Sequence, residues 1–213
     1  MRPHHRTFYS DPKYPKYPGP AHPGPGDPSH RAANAGGWAQ RARAGVLAAA
    51  LLAAAPVSAE LTWSTDEAFV TRHEALIRAE AKTVFEEIFD IAGWWNGAHS
   101  WSADATNLYI EPGAGGCFCE RLPGGGGVEH LHIVFYNPPK EIRLVGGLGP
   151  LQQMGVNGTM SWRVEQAENA PRKLVFEYRV HGHVEGGLTN IAPAVDAVIG
   201  EQHARLLERL GER

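Results

Sequence analysis

Between Gly116 and Pro139 the chain reads GCFCERLPGGGGVEHLHIVFYNPP, and most of its reactive side chains are concentrated there. Cys117 and Cys119 alternate with Phe118 and Glu120. Past a Pro-Gly turn, Glu129, Leu131 and Ile133 alternate with His130 and His132. Successive side chains of a strand point to opposite faces, so this stretch predicts a β-hairpin with one mostly apolar face and one sulfur-and-imidazole face. With the turn centred between Gly124 and Gly125, Cys117 faces His132, Phe118 faces Leu131, Cys119 faces His130 and Glu120 faces Glu129. A slip of one residue brings Glu120 to His130 instead, so the chemistry depends on the register.

That register allows two kinds of chemistry. Phe118, Leu122, Leu131, Ile133 and Phe135 share the apolar face, where Glu120 and Glu129 form a cross-strand carboxylate pair. Like charges directly opposite favour a shared proton or an intervening cation. A carboxyl with a raised pKa in an apolar hollow suits general acid/base catalysis. The plainer reading leaves both at the open hairpin end, solvated or paired with Arg121 or Arg143. On the other face Cys117, Cys119, His130 and His132 form a rectangle of soft ligands, a set that suits tetrahedral zinc. Their spacing is not that of a zinc ribbon or finger, a flat sheet face converges poorly on one ion, and two small thiols under a loop are the plain alternative. A Cys117–Cys119 disulfide is not expected: Cβ atoms two apart in a regular strand lie roughly 6 to 7 Å apart, against about 3.5 to 4.5 Å in a disulfide. His181 and His183 are assigned to an outer sheet face, and His203 to a helix surface.

The elements that must position these groups are read from periodicity and breakers. A strand is predicted over Glu67 to Arg78, then an amphipathic helix over Ala79 to Ile91 with Val84, Phe85, Ile88 and Phe89 at helical spacing. Gly93-Trp94-Trp95-Asn96-Gly97 forms a second short helix or turn. Strands come next at Leu108 to Glu111, Gly116 to Leu122, Val128 to Tyr136, Glu141 to Val145, Gly158 to Glu165 and Leu174 to His183, separated by Gly-rich, Asn-Pro-Pro and Asn-Ala-Pro breaks. A helix from about Asn190 to Leu210 closes the chain, with Val195, Ile199, Gln202, Leu206 and Leu210 along one stripe. Strands joined by short turns pair antiparallel, and the last helix is the available cover for the apolar face. The fold class is α+β: a curved antiparallel sheet of about seven strands wrapped on a long C-terminal helix, with two short helices after the first strand.

Composition divides the chain of 213 residues. Residues 1–59 carry seven Lys/Arg against two Asp/Glu, and residues 60–213 carry thirteen against twenty-one. A body that acidic repels a phosphate backbone, so nucleic acid is excluded as a partner. Two cysteines rule out a disulfide-dense scaffold. Residues 1–40, rich in Pro, Gly, His and Tyr without apolar periodicity, are expected to be disordered. Residues 41–59 have the three parts of a secretory signal: Arg41 and Arg43, the apolar run Ala44 to Ala55, and small residues before Glu60. An Ala-rich buried helix is the alternative. The run is too short to span a bilayer, which needs about 20 residues. A forty-residue lead is long for such a signal and points to a later translation start, although no Met lies between Met1 and Met154. Residues 60–213 then form a single domain, exported to the periplasm or outside the cell, with no membrane span in the mature chain.

The order of elements, the Trp-Trp pair after the first helix, Gly115-Gly116-Cys117-Phe118 and the Asn137 to Lys140 turn resemble the START/Bet v 1-like (SRPBCC) superfamily over about residues 66–210. That is the helix-grip fold of polyketide cyclases, lipid-transfer domains and homologues of the Hsp90-ATPase activator. The resemblance implies a cavity between sheet and long helix for a hydrophobic or aromatic molecule; it supplies no catalytic residue, since the superfamily has no universal ones. Trp94, Trp95, Phe118, Leu131, Ile133, Trp162, Phe176 and Tyr178 are the candidate lining, each of which suits a solid core as well. Gly146 to Pro150 lacks the Lys-Ser/Thr of a phosphate loop, and no Gly-x-Ser-x-Gly is present. No cofactor is expected. Three functions stand: an exported small-molecule binding protein, a polyketide cyclase/dehydratase-like enzyme using Glu120 and Glu129, and an interaction domain like the Hsp90 activator homologues.

Overall fold

A computed structural model describes residues 58–166 and 170–212. The expected disordered lead over residues 1–40 lies outside them, as does the signal over residues 41–59 except for its last two positions. Those two, Ser58 and Ala59, open a strand that the sequence pattern does not reveal, β1 (Ser58–Ser64). Next come β2 (Ala68–Ile77), α1 (Ala81–Phe89), β3 (Leu108–Ile110), β4 (Cys117–Arg121), β5 (Gly127–Asn137), β6 (Glu141–Val145), β7 (Asn157–Glu165), β8 (Arg172–His181) and α2 (Ala192–Arg209). Between α1 and β3, short 3₁₀ turns at Ile91–Gly93 and Gly97–His99 flank Trp94 and Trp95. The fold is α+β as expected, with eight strands among the described residues rather than seven.

The strands form one curved antiparallel sheet in the order β1-β2-β8-β7-β6-β5-β4-β3. Five neighbouring pairs along β3 to β8 are sequential, and the seam that closes the sheet joins β2 to β8, Ala68 opposite His181 and Ile77 opposite Arg172. Alternation sets the inner face: Phe69, Thr71 and His73 on β2, Met160 and Trp162 on β7, and Leu174, Phe176 and Tyr178 on β8 are all buried. Trp162 and Phe176, paired in register, stack with ring centroids 4.6 Å apart. The stripe of α2 lies on this face: Ile199, Gln202 and Leu206 are buried as the spacing predicts, and Val195 and Leu210 pack partly buried against the core. His203 belongs to the stripe too and is fully buried, so its assignment to the surface is wrong: it sits four residues after Ile199 and three before Leu206.

Bulges on β5 break the alternation twice. Phe118 pairs with Leu131 but Cys119 pairs with Glu129, which leaves His130 as the extra residue. Ile133 pairs with Leu144 but Phe135 pairs with Arg143, which leaves Val134 as the second. Each extra residue inverts the facing of the strand beyond it. His130 therefore turns inward beside Leu131, and Phe135 turns outward, partly exposed, under the Arg143 guanidinium. The expected inner position of Phe135 is corrected by the second bulge.

Candidate functional site

The first bulge decides the chemistry of the hairpin. In a regular register Glu120 opposes Glu129; here it opposes Val128. Glu129 is 58% exposed and lies 3.4 Å from His132, which is itself exposed, so the carboxylate pair is not formed. Neither carboxylate meets an arginine: Arg121 lies over the Tyr109 ring and Arg143 holds Glu141. The four-ligand rectangle is dissolved as well. Cys117 and Cys119 are joined as a disulfide, His130 faces inward and His132 outward. Among the described residues no group of three or more His, Cys, Asp or Glu is placed to hold a metal. The disulfide overturns the distance argument against it. That argument assumes a regular strand, whose repeat sets Cα atoms two apart at about 6.6 Å. Beside the bulge the Cα separation is 5.5 Å, inside the range a disulfide spans.

Glu120 and His130 become a buried dyad instead. Nε2 of His130 lies 3.0 Å from a Glu120 oxygen, and both side chains are all but inaccessible. The backbone amides of Trp101 and Ser102 donate to the same carboxylate, at 3.1 and 2.5 Å. Burial pushes the Glu120 carboxyl up, but hydrogen bonds from Ser102, Trp101 and His130 outweigh it and hold the group below its ordinary value. Burial pushes His130 down, and the attraction of Glu120 does not restore it. At neutral pH the pair is therefore a carboxylate and a neutral imidazole. A carboxylate only accepts, so Nε2 carries the proton and Nδ1 carries the lone pair. Nδ1 is buried and has no hydrogen-bond partner in the protein.

His130 forms part of the wall of a cavity of about 400 Å³ between the sheet and α2. Leu108 and Phe118 line it from the sheet, Trp95, Ser100 and Trp101 from the segment before β3, Leu148, Leu151 and Met154 from the loop after β6, and Val195, Val198 and Ile199 from α2. Trp101 and Met154 are also half exposed and so mark the mouth. No Lys, Arg, Asp or Glu is among the lining residues. Of the eight residues expected to line a pocket, Trp95 and Phe118 do so. Trp94, Leu131, Ile133, Trp162, Phe176 and Tyr178 are buried in the core outside the lining.

The walls are tied down from behind. Gln202 accepts the Asn96 amide at 2.8 Å and the Trp94 carbonyl accepts from Arg205 at 2.6 Å, binding the Trp-Trp segment to α2. The Tyr178 hydroxyl donates to the Gly146 carbonyl and accepts from the Leu148 amide, at 2.9 and 3.0 Å. Gly146 is required where it stands: its φ is +154°, and a Cβ there would meet the His130 carbonyl at 2.6 Å. The loop after β6 thus closes directly onto the bulge.

A second polar cluster, not anticipated from the sequence, joins β2 to α2. His73 Nε2 lies 3.0 Å from Asp196 and 3.1 Å from the Thr71 hydroxyl, which also bonds Asp196. Burial holds His73 below its ordinary value against the pull of Asp196. Thr71, His73 and Asp196 are not a nucleophilic triad, because hydroxyl and carboxylate share one ring nitrogen and no relay through the ring exists. A signal for this cluster does exist in the chain: Phe69, Thr71 and His73 alternate onto one face of β2. His181 and His183 are both exposed; His181 ends β8 as expected, while His183 lies beyond the strand.

No family model matches the chain, and no curated protein matches it. Solved structures are similar to it. An uncharacterized protein from Rhizobium leguminosarum is 20% identical, with 72% of this chain and 99% of that one covered and a TM-score of 0.46. A protein from Rhodobacter sphaeroides is 13% identical (72% and 98% covered, TM-score 0.46), and one from Arthrobacter aurescens 15% identical (74% and 92% covered, TM-score 0.46). The likeness concerns the fold alone. Among the described residues no helix is long and apolar enough to cross a membrane.

Proposed function

We propose that this is a binding protein for a small, neutral, hydrophobic or aromatic molecule, exported and built as a helix-grip domain of the START/Bet v 1-like type. The observation that carries the reading is the cavity itself: about 400 Å³ between sheet and α2, with mostly aromatic and aliphatic walls and no Lys, Arg, Asp or Glu in the lining. Its size and character are those of small-molecule pockets, which are mostly apolar with a few placed polar groups. A carboxylate guest would find no Lys or Arg there, and the lining residue His99 already pairs with Glu201, so it would leave water uncompensated. Catalysis by a Glu120–Glu129 pair receives no support, since Glu129 is exposed and Glu120 is a hydrogen-bonded carboxylate behind His130.

The test uses N-phenyl-1-naphthylamine, a neutral fluorescent probe. Wild-type protein should bind one equivalent with a blue-shifted emission. Val198→Trp fills the cavity from α2 and should abolish the signal while the protein stays folded by circular dichroism. Equal binding by Val198→Trp, or no binding by wild type, would overturn the reading.

A further inference from the structure

Three buried features are not absorbed by an apolar binding cavity: the Thr71–His73–Asp196 cluster, the Cys117–Cys119 disulfide and the Glu120–His130 dyad. None of the residues of the first lines the cavity, and its hydrogen bonds join its own three side chains. The second spans Phe118, a wall residue, but neither sulfur belongs to the wall. The third reaches the wall.

We propose that His130 is the polar recognition point of the cavity: an oriented hydrogen-bond acceptor, held by Glu120, for a guest that is apolar and neutral except for one donor group such as a phenolic or enolic O–H. This rests on the binding reading above and names the guest's chemistry.

The argument is one of satisfaction. Nε2 of His130 is committed to the Glu120 carboxylate at 3.0 Å, and that carboxylate is fixed by two backbone amides. Ring tautomer and ring orientation are therefore set from behind, as when a second group orients a binding imidazole. The remaining nitrogen is a buried acceptor with no partner in the protein. Buried polar atoms are nearly always paired, so an orphan needs an explanation. The other side chains with such an atom include His73, Trp162 and Gln202, and none of these lines the cavity. His130 does. The other polar side chains of the lining are engaged elsewhere: the Ser100 hydroxyl donates to the Gly97 carbonyl, and His99 pairs with Glu201. An unengaged acceptor on a wall that is mostly apolar selects a donor. The Glu120 charge behind the ring disfavours an anion at that point, so the donor is carried by a neutral molecule. The low proton affinity of the buried ring keeps the acceptor open at neutral pH.

The experiment compares 2-naphthol with 2-methoxynaphthalene, which has a similar ring and oxygen but no donor, by calorimetric titration of the full protein at pH 7.5. Wild type should prefer 2-naphthol by about fivefold to tenfold, the worth of one neutral hydrogen bond. His130→Phe should lose the preference while still binding 2-methoxynaphthalene. His130→Gln, which can donate to Glu120 and present a carbonyl to the cavity, should keep part of it. In parallel, ¹⁵N spectra of histidine-labelled wild type should show the His130 Nδ1 resonance moving on addition of 2-naphthol and not of 2-methoxynaphthalene. That measurement stands even where His130→Phe fails to fold. Equal affinities in wild type, a preference retained by His130→Phe, or an unmoved Nδ1 signal would overturn the inference while leaving the cavity reading intact. Binding of neither compound would overturn both.

Discussion

Acidification acts on the two buried histidines, and its effect can be worked out in sign and size. His73 and His130 are 1% and 3% exposed. Burial lowers both below the ordinary 6.5, against the opposing pull of Asp196 and Glu120. Unfolded, both rings take up a proton as pH falls through about 6.5; folded, they resist it. Stability rises with pH wherever the unfolded state binds more protons, so here it falls as pH drops below about 6.5 and levels off only beneath the folded values. Each ring contributes at most about 1.4 kcal/mol per pH unit. From pH 7.5 to 5.5 the two together should remove up to about 3 kcal/mol, a large share of a typical domain stability. Urea unfolding monitored by circular dichroism at pH 7.5, 6.5 and 5.5 measures this directly. His73→Phe and His130→Phe should each halve the slope against pH. Equal stability at the two ends, a gain on acidification, or an unchanged slope in both variants would refute the reasoning. Glu120 and Glu177, both held below the ordinary 4.5, remain charged across that window and add their own loss only at lower pH.

Further outcomes are expected at Glu120, at Tyr178 and at the disulfide. Glu120→Gln replaces the acceptor of Trp101, Ser102 and His130 by a group that cannot satisfy all three; it should cost about 2 to 4 kcal/mol by urea unfolding. Tyr178→Phe removes the two hydrogen bonds by which Tyr178 holds the loop after β6 and should cost about 1 to 3 kcal/mol, with weaker probe binding because Leu148 loses one of its anchors. In wild type the Tyr178 phenol, pushed up by burial to about 12, should be the last to ionise in an alkaline absorbance titration. Cys117→Ser with Cys119→Ser opens a very short ring and should lose on the order of 1 to 2 kcal/mol. Mass spectrometry after alkylation should show no label on unreduced wild type and two labels after reduction in denaturant.

The secondary structure is legible in the chain because its signals are local. β6 is bounded residue for residue, and α2 is recognisable from the spacing of Ile199, Gln202 and Leu206. β1 is hidden because Ser58 and Ala59 also read as small residues before a cleavage point. The site is less legible, and the reason is register. Glu129 to Ile133 alternates so regularly that nothing in it marks His130 as the extra residue, yet that one residue separates a carboxylate pair from a carboxylate–imidazole dyad. Beside it the cysteine Cα atoms lie 5.5 Å apart, within reach of a disulfide, which strand alternation alone does not predict. The aromatic candidates fail as a set for a different reason. A strand pattern says which face a side chain takes but not whether a second layer covers it, and Trp162, Phe176 and Tyr178 lie where α2 and neighbouring side chains fill the space. His203 is misplaced and Asp196 is overlooked because their partners, on β2, come more than a hundred residues earlier.

The seam between β2 and β8 has a consequence for how the chain is made. Hairpins from β3 through β8 can zip as they emerge from the ribosome, each strand finding the one just before it. β2 has β1 on one border, and its other border stays open until Arg172–His181 has been synthesised. During that wait its backbone is a template for pairing with other chains, and nascent protein stopped short of β8 should be captured by chaperones or aggregate. The cavity is thus a late product of synthesis, completed only when the C-terminal helix arrives to roof it.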